Sequence, residues 1–134
     1  MGIMPIFKKQ QSLSLGKRGE EAALNYLKKQ NYKILATNFF NPVGRRLGEI
    51  DIVAKDGRDW VFVEVKTRKN NSGKFILPEE SINRLKLRKL NKIAGFYLSK
   101  NKLVNAPYRF DAITVLADPE KNQASLRHIK NIFL

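Results

Sequence analysis

The sequence predicts a single α/β domain with a mixed central β-sheet flanked by helices, in the order αβββαββ. Two stretches repeat apolar residues at spacings of three and four, around Ala22 and around Ile93, which is the period of an amphipathic helix. Val- and Ile-rich segments between and after them alternate apolar with polar residues, the period of a strand. A length of 134 residues fits one compact domain, since domains most often run to about 100 to 150 residues.

Each element follows from local chemistry. From Leu15 to Gln30, the residues Leu15, Gly19, Ala22, Ala23, Tyr26 and Leu27 make one helical stripe. Ser12 or Ser14 is placed to cap this helix and Asn31 to end it. Glu20 falls at the border of the stripe, in line with Ala23 and Leu27, whereas Glu21 is expected to face water. Tyr32 to Phe40 reads as a first strand, followed by a turn-rich segment with Pro42, Gly44, Arg45 and Arg46. Two strands come next, Glu49 to Lys55 and Trp60 to Arg68, joined through Asp56-Gly57-Arg58-Asp59 as a hairpin.

Residues 69–78 are expected to form a mobile loop, and residues 1–12 to be flexible. A second helix from Glu79 to Ser99 would bury Ile82, Leu85, Leu90, Ile93, Ala94, Tyr97 and Leu98. The last strands, Tyr108 to Leu116 and Leu126 to Phe133, are separated by a turn at Asp118-Pro119. A helical crossover makes the third and fourth strands parallel, while the hairpin is antiparallel, so the sheet is mixed.

Composition narrows the chemistry. With no Cys there are no disulfides, thiolate zinc sites or thiol nucleophiles, and His128 is the one histidine. Any metal must then rest on oxygen ligands, which suits magnesium, manganese or calcium. No apolar run approaches the roughly 20 residues that span a bilayer, and a cytoplasmic protein without membrane contact is expected. Lys and Arg number 26 against 12 Asp and Glu, a net charge of +14 that favours polyanionic partners such as DNA.

The hairpin concentrates the carboxylates. Side chains alternate along a strand, which groups Glu49, Asp51 and Val53 on one face, opposite Ile50, Ile52 and Ala54. On the next strand Trp60, Phe62, Glu64, Lys66 and Arg68 share a face. If Lys55 pairs with Trp60, Asp51 stands across from Glu64, and Glu49 across from Lys66. Opposed residues have Cβ atoms about 5 Å apart, where like charges destabilise a sheet unless a cation lies between them. Magnesium takes one or two carboxylates at roughly 2 Å, with water and substrate phosphate completing its shell. Lys66 is placed to orient a water or to neutralise charge developing on a phosphoryl group. The same spacing also fits alternating charge on a solvent-exposed sheet face.

The run Gly48-Glu49-Ile50-Asp51-Ile52-Val53-Ala54, followed by Val61-Phe62-Val63-Glu64-Val65-Lys66-Thr67-Arg68, resembles the signature of the bacterial YraN family. Gly16-Lys17-Arg18-Gly19-Glu20, Tyr32-Lys33-Ile34-Leu35 and Arg109-Phe110-Asp111 extend the likeness over nearly the whole chain. That family is similar to archaeal Holliday junction resolvases within the PD-(D/E)XK nuclease superfamily. The resemblance implies a restriction-endonuclease-like domain and a Mg2+- or Mn2+-dependent DNA endonuclease, acting on branched or junction DNA. It implies that Asp51 and Glu64 bind the metal together with the Val65 carbonyl, that Lys66 is catalytic, and that Glu20 approaches the metal from the first helix. Ile50 stands where the superfamily has its proline. The alternative is a non-catalytic nucleic-acid-binding module on the same fold.

Basic residues supply the expected DNA contacts: Arg45, Arg46, Arg68, Lys69 and Lys74 near the hairpin, and Arg84, Lys86, Arg88 and Lys92 on the second helix. A solvated helix face explains the latter group as well. Trp60 and Phe62 are expected to pack under the first helix, with base stacking as the other reading. His128 is expected on the surface. Asp111 is open between support for the metal site, a hydrogen bond with Arg109 and a strand-end cap. Paired cuts in a junction would need a twofold homodimer, for which Ile129, Ile132, Phe133 and Leu134 offer an apolar end.

Overall fold

The computed structural model describes residues 2–5, 14–40, 48–69, 84–118 and 120–132, with the backbone alone for 2–5 and Arg84. Ser14 starts the first helix, α1 (Leu15–Lys29), its hydroxyl accepting the Lys17 N–H at 3.2 Å and so satisfying one of the free donors of the first turn. Lys28 and Lys29 in the last turn complement the helix dipole, and Asn31, at φ 68°, turns the chain out of the helix.

The strands are β1 (Gly2–Pro5), β2 (Lys33–Phe40), β3 (Glu49–Asp56), β4 (Asp59–Lys69), β5 (Tyr108–Asp118) and β6 (Gln123–Ile129), with α2 (Arg84–Lys100) crossing from β4 to β5. They form one mixed sheet in the order β1-β6-β5-β4-β3-β2. β4 and β5 are parallel, and every other neighbouring pair is antiparallel. The architecture is the expected mixed α/β sheet between helices, consistent with a restriction-endonuclease-like fold.

The structure departs from the sequence reading at several points. Residues 2–5 make a sixth strand, pairing Gly2 with Leu126 and Pro5 with Gln123 at the sheet edge, where a proline lacking an N–H is tolerated. The last strand begins at Gln123, earlier than expected, and Phe133 and Leu134 lie outside the described residues, as do residues 70–83, Ile82 among them. Leu85 is 60% exposed rather than buried. On a helix the positions 86, 90, 93, 94 and 97 share a face, and Leu90, Ile93, Ala94 and Tyr97 are buried there. Lys86 therefore holds the stripe position one turn before Leu90, and Leu85 points away.

Both faces of the hairpin are apolar, not one. Ile52, Ala54, Val61 and Val63 pack with Ala22, Ala23 and Leu27 of α1. Ile50, Val53 and Phe62 pack with Leu90, Ile93, Ala94 and Tyr97 of α2. Phe62 and Trp60 thus belong under the second helix rather than the first, with Lys55 Nζ 5.0 Å from the Trp60 ring centroid. Ile50 joins Val53 instead of Ile52, so alternation breaks at Asp51. Asn38 on the neighbouring strand, between the pairs Thr37↔Ile52 and Phe39↔Ile50, sits at φ 51° and marks the same irregularity.

The hairpin closes more tightly than a four-residue loop, with Asp56 paired to Asp59 and Gly57 at φ 61° in the first central position of the turn. Register is unaffected: Lys55 pairs with Trp60.

Candidate active site

At the end of the hairpin away from its turn, the β3–β4 ladder stops at Ile52↔Val63. One residue further, Asp51 is not simply paired with Glu64. Its Oδ2 accepts the Val65 N–H at 2.7 Å, so a carboxylate takes the place of a backbone carbonyl from β3. Glu49 does not face Lys66; it pairs with Phe40 and accepts a hydrogen bond from Asn38 Nδ2 at 3.2 Å. The strands part where the acids gather.

From the α1 side, Lys17, Glu20, Glu21 and Leu24 line a cavity of about 90 Å³ together with Thr37, Asn38, Asp51 and Ile52. Glu20 reaches this cavity because α1 lies against β4 at Gly19, where a Cβ would come within 1.8 Å of Thr67 Oγ1. Lys17 Nζ donates to Glu20 Oε2 at 3.3 Å and to Asn38 Oδ1 at 3.3 Å. Asn38 Nδ2 faces both Glu20 and Glu49. Lys17 stands in the Gly16–Glu20 run without an assigned role, and Asn38 with its left-handed backbone went unmarked, although an Asn in a strand otherwise rich in apolar residues is the kind of signal that marks an irregularity.

From the α2 side comes Lys86. Its Nζ is 2.7 Å from Glu64 Oε1, while Lys66 Nζ is 3.5 Å from the same oxygen. Glu64 is 8% exposed and so depends on these two ammonium groups. Lys66, beside Lys86 and partly buried, is held below the usual lysine range. For Lys86 burial opposes the charge, but hydrogen bonding to Glu64 and Lys66 and the charges of Glu64 and Asp51 together outweigh it, and its pKa is raised. Asp51 is pushed up to about 7, first by burial and then by the charge of Glu64, with smaller contributions from Glu20 and Glu49. Carboxylates on α1 and β4 therefore both act on Asp51.

The other expected contacts are spread around this point. Arg68 turns Nη1 back to the Thr67 carbonyl at 3.2 Å, and Lys69, at the end of β4, is exposed. Arg88 and Lys92 are exposed on the outer face of α2. Arg45, Arg46 and Lys74 lie outside the described residues, and so does the side chain of Arg84.

His128 and Asp111 lie elsewhere. The His128 side chain is buried, not on the surface, with Nε2 donating to Asp111 Oδ2 at 2.8 Å and Nδ1 accepting the Tyr26 hydroxyl at 3.0 Å. An acceptor-only carboxylate fixes that tautomer. Asp111 also takes Arg109 Nε and the Asn131 N–H, each at 3.0 Å, and Arg109 reaches on to Asp56 and Asp59 at the hairpin turn. Of the roles open for Asp111, the hydrogen bond with Arg109 is formed.

The sequence profile of the Uncharacterised protein family UPF0102 matches residues 19–115, a span that holds Glu20, Asp51, Glu64, Lys66 and Lys86. The chain belongs to the UPF0102 family. It is 43% identical over 119 residues to the UPF0102 protein of Caldicellulosiruptor saccharolyticus, covering 89% of this chain and 96% of that one. To the UPF0102 protein of Thermodesulfovibrio yellowstonii it is 45% identical over 121 residues, 90% of this chain and 96% of the other. The UPF0102 protein of Geobacter metallireducens matches at 42% over 120 residues, 90% and 92% of the two chains. The YraN resemblance is thus met at the level of the family. Among the described residues of this UPF0102 protein, no helix is long and apolar enough to cross a membrane.

Proposed function

We propose that this UPF0102 protein is a magnesium- or manganese-dependent endonuclease that hydrolyses phosphodiester bonds in DNA. The observation that supports this best is the meeting of Glu20, Asp51, Glu64 and Lys66, from three separate elements, where the β3–β4 ladder ends. A half-buried acid with a pKa pushed up to about 7 by desolvation and by neighbouring acids is costly to the fold, and such perturbed groups cluster at functional sites.

The donor set fits a hard divalent ion. Asp51, Glu64 and the Val65 carbonyl are the residues that would hold it, and magnesium needs only one or two carboxylates when water and phosphate fill the remaining positions. When bound, such an ion polarises the phosphoryl oxygen and lowers the pKa of a bound water. The chain's own groups do the rest. Asp51 is oriented by the Val65 N–H. Lys66, with its pKa held down, gives up a proton more readily than an ordinary lysine and, when charged, is placed to meet charge on the phosphate. Glu20, fixed by Lys17 and Asn38, orients water on the α1 side.

The net charge of +14 fits equally a second reading, a nucleic-acid-binding module without chemistry. Linear, nicked, flapped and four-way DNA incubated with the purified protein in magnesium, manganese or EDTA separates the two. Metal-dependent cleavage lost in Asp51→Asn supports the nuclease. Salt-sensitive binding with no cleavage of any substrate supports the module. Paired cuts in a junction would further call for a twofold dimer, which sedimentation with and without junction DNA tests.

A further inference from the structure

Resting on the nuclease reading, we propose that Lys86 is a second lysine of the active site, whose ammonium holds Glu64 until a divalent ion takes that carboxylate and is then released to the substrate phosphodiester. Its position in α2 is the first argument. Residues 86, 90, 93, 94 and 97 share one helix face, and all but Lys86 are apolar and buried. A lysine in such a stripe is there for a partner. That partner is Glu64, at 2.7 Å, a shorter contact than the 3.5 Å made by Lys66.

The second argument is charge. With Asp51 and Glu64 ionised, Lys66 and Lys86 bring the four groups to zero without any ion. A divalent ion on the two carboxylates leaves the site at plus two, and a phosphodiester anion lowers that to plus one. Lys86 thus competes with the ion for Glu64 yet favours the anion once the ion is bound. One residue opposes metal binding alone and supports metal binding with substrate. Beside this site Thr114, opposite Lys66 in the β4–β5 register, buries a hydroxyl that has no hydrogen-bond partner among the described residues. A buried hydroxyl in that state suits a water or a ligand oxygen.

The test measures manganese binding by the electron paramagnetic resonance of the free ion, on the full chain without DNA. Lys86→Met is expected to bind manganese about tenfold more tightly than the natural protein, because a cation in contact with the ligand is gone. Lys89→Met, which removes an exposed lysine of the same helix, is expected to change affinity less than about twofold, since exposed charges are screened. In calcium, Lys86→Met is expected to bind duplex DNA several-fold more weakly by fluorescence anisotropy. Equal manganese affinity in Lys86→Met and the natural protein overturns the role of Lys86 and leaves the metal site standing. No manganese binding by either, with Glu64→Gln indistinguishable from both, overturns the nuclease reading itself.

Discussion

The Asp51 carboxylate accepts the Val65 N–H at 2.7 Å, holding an acid on β3 against the backbone of β4. This contact lowers the pKa of Asp51, but burial and the charge of Glu64 raise it more, to about 7. The folded state thus binds the proton more tightly than the unfolded chain, whose aspartate has its ordinary value of 3.8. The resulting stabilisation is full below that ordinary value and is lost as pH rises through about 7. Asp51→Asn removes the titration while its amide oxygen can still accept from Val65. In EDTA at pH 8 the variant is expected to be more stable by about 2 kcal/mol, a value reduced for partial solvation. At pH 4 the advantage should vanish. Urea denaturation at the two pH values checks this, and a variant less stable than the natural protein at pH 8 would contradict it.

The same proton sets the pH dependence of metal binding. Below about 7 an ion must displace it from Asp51, and above that value it need not. Magnesium should therefore raise the melting temperature more at pH 8 than at pH 6, with apparent affinity falling up to about tenfold for each pH unit below 7. In Asp51→Asn the response should be small at both. An equal magnesium response of the natural protein at pH 6 and pH 8 would remove Asp51 from the ligand set.

The hairpin was legible because one local fact, Lys55 facing Trp60, fixes every pair that follows in a regular ladder. It failed as a guide where regularity ends, at Asp51, since a side chain substituting for a carbonyl leaves no trace in a period of two. β1 was not legible because its pairing with β6 is made by backbone, between segments at opposite ends of the chain. His128 was misplaced for a related reason. Its burial depends on Tyr26 and Asp111, whose nearness is a property of the assembled sheet and helix. Lys86 was legible in principle: its spacing from Leu90 places it on the buried stripe, but within a run of basic residues it reads as one more surface charge.

Gly19 sets how closely α1 approaches β4. A Cβ there would lie 1.8 Å from Thr67 Oγ1 and 2.8 Å from Thr67 Cβ. Replacing glycine by alanine in a helix interior is worth up to about 1 kcal/mol in its favour, whereas overpacking costs about 1 to 3 kcal/mol. The steric effect wins, because a β-branched threonine on a strand has little room to turn away. Gly19→Ala is expected to lose about 1 to 2 kcal/mol by urea denaturation. Adding Thr67→Ala should recover part of this, a non-additive result that marks direct contact. Full additivity of the two changes would show that the helix approaches elsewhere.

Asp111 anchors a second polar cluster, on β5. It is 0% exposed, and it accepts from Arg109, His128 and the Asn131 N–H. Burial alone would raise its pKa, but the hydrogen bonds from His128, Arg109 and Asn131 together outweigh it, so the carboxyl is held below its ordinary value. For a depressed carboxylate, the contribution to stability is present above the unfolded pKa and is lost as pH falls through the folded one. Asp111→Asn replaces one acceptor oxygen by an amide that faces donors, and it leaves Arg109 short of a charge partner in a largely buried position. Asp56 and Asp59 still hold the far side of that guanidinium, which places the expected loss at pH 7 near the lower end of the range for breaking a buried pair, about 3 kcal/mol. The gap between variant and natural protein should narrow as pH drops below the ordinary carboxylate range, because both then lack the anion. Chemical denaturation at pH 7 and pH 3 measures it. A loss under about 0.5 kcal/mol at pH 7, the size of an ordinary surface change, would mean that Arg109 is held by the hairpin-turn aspartates alone.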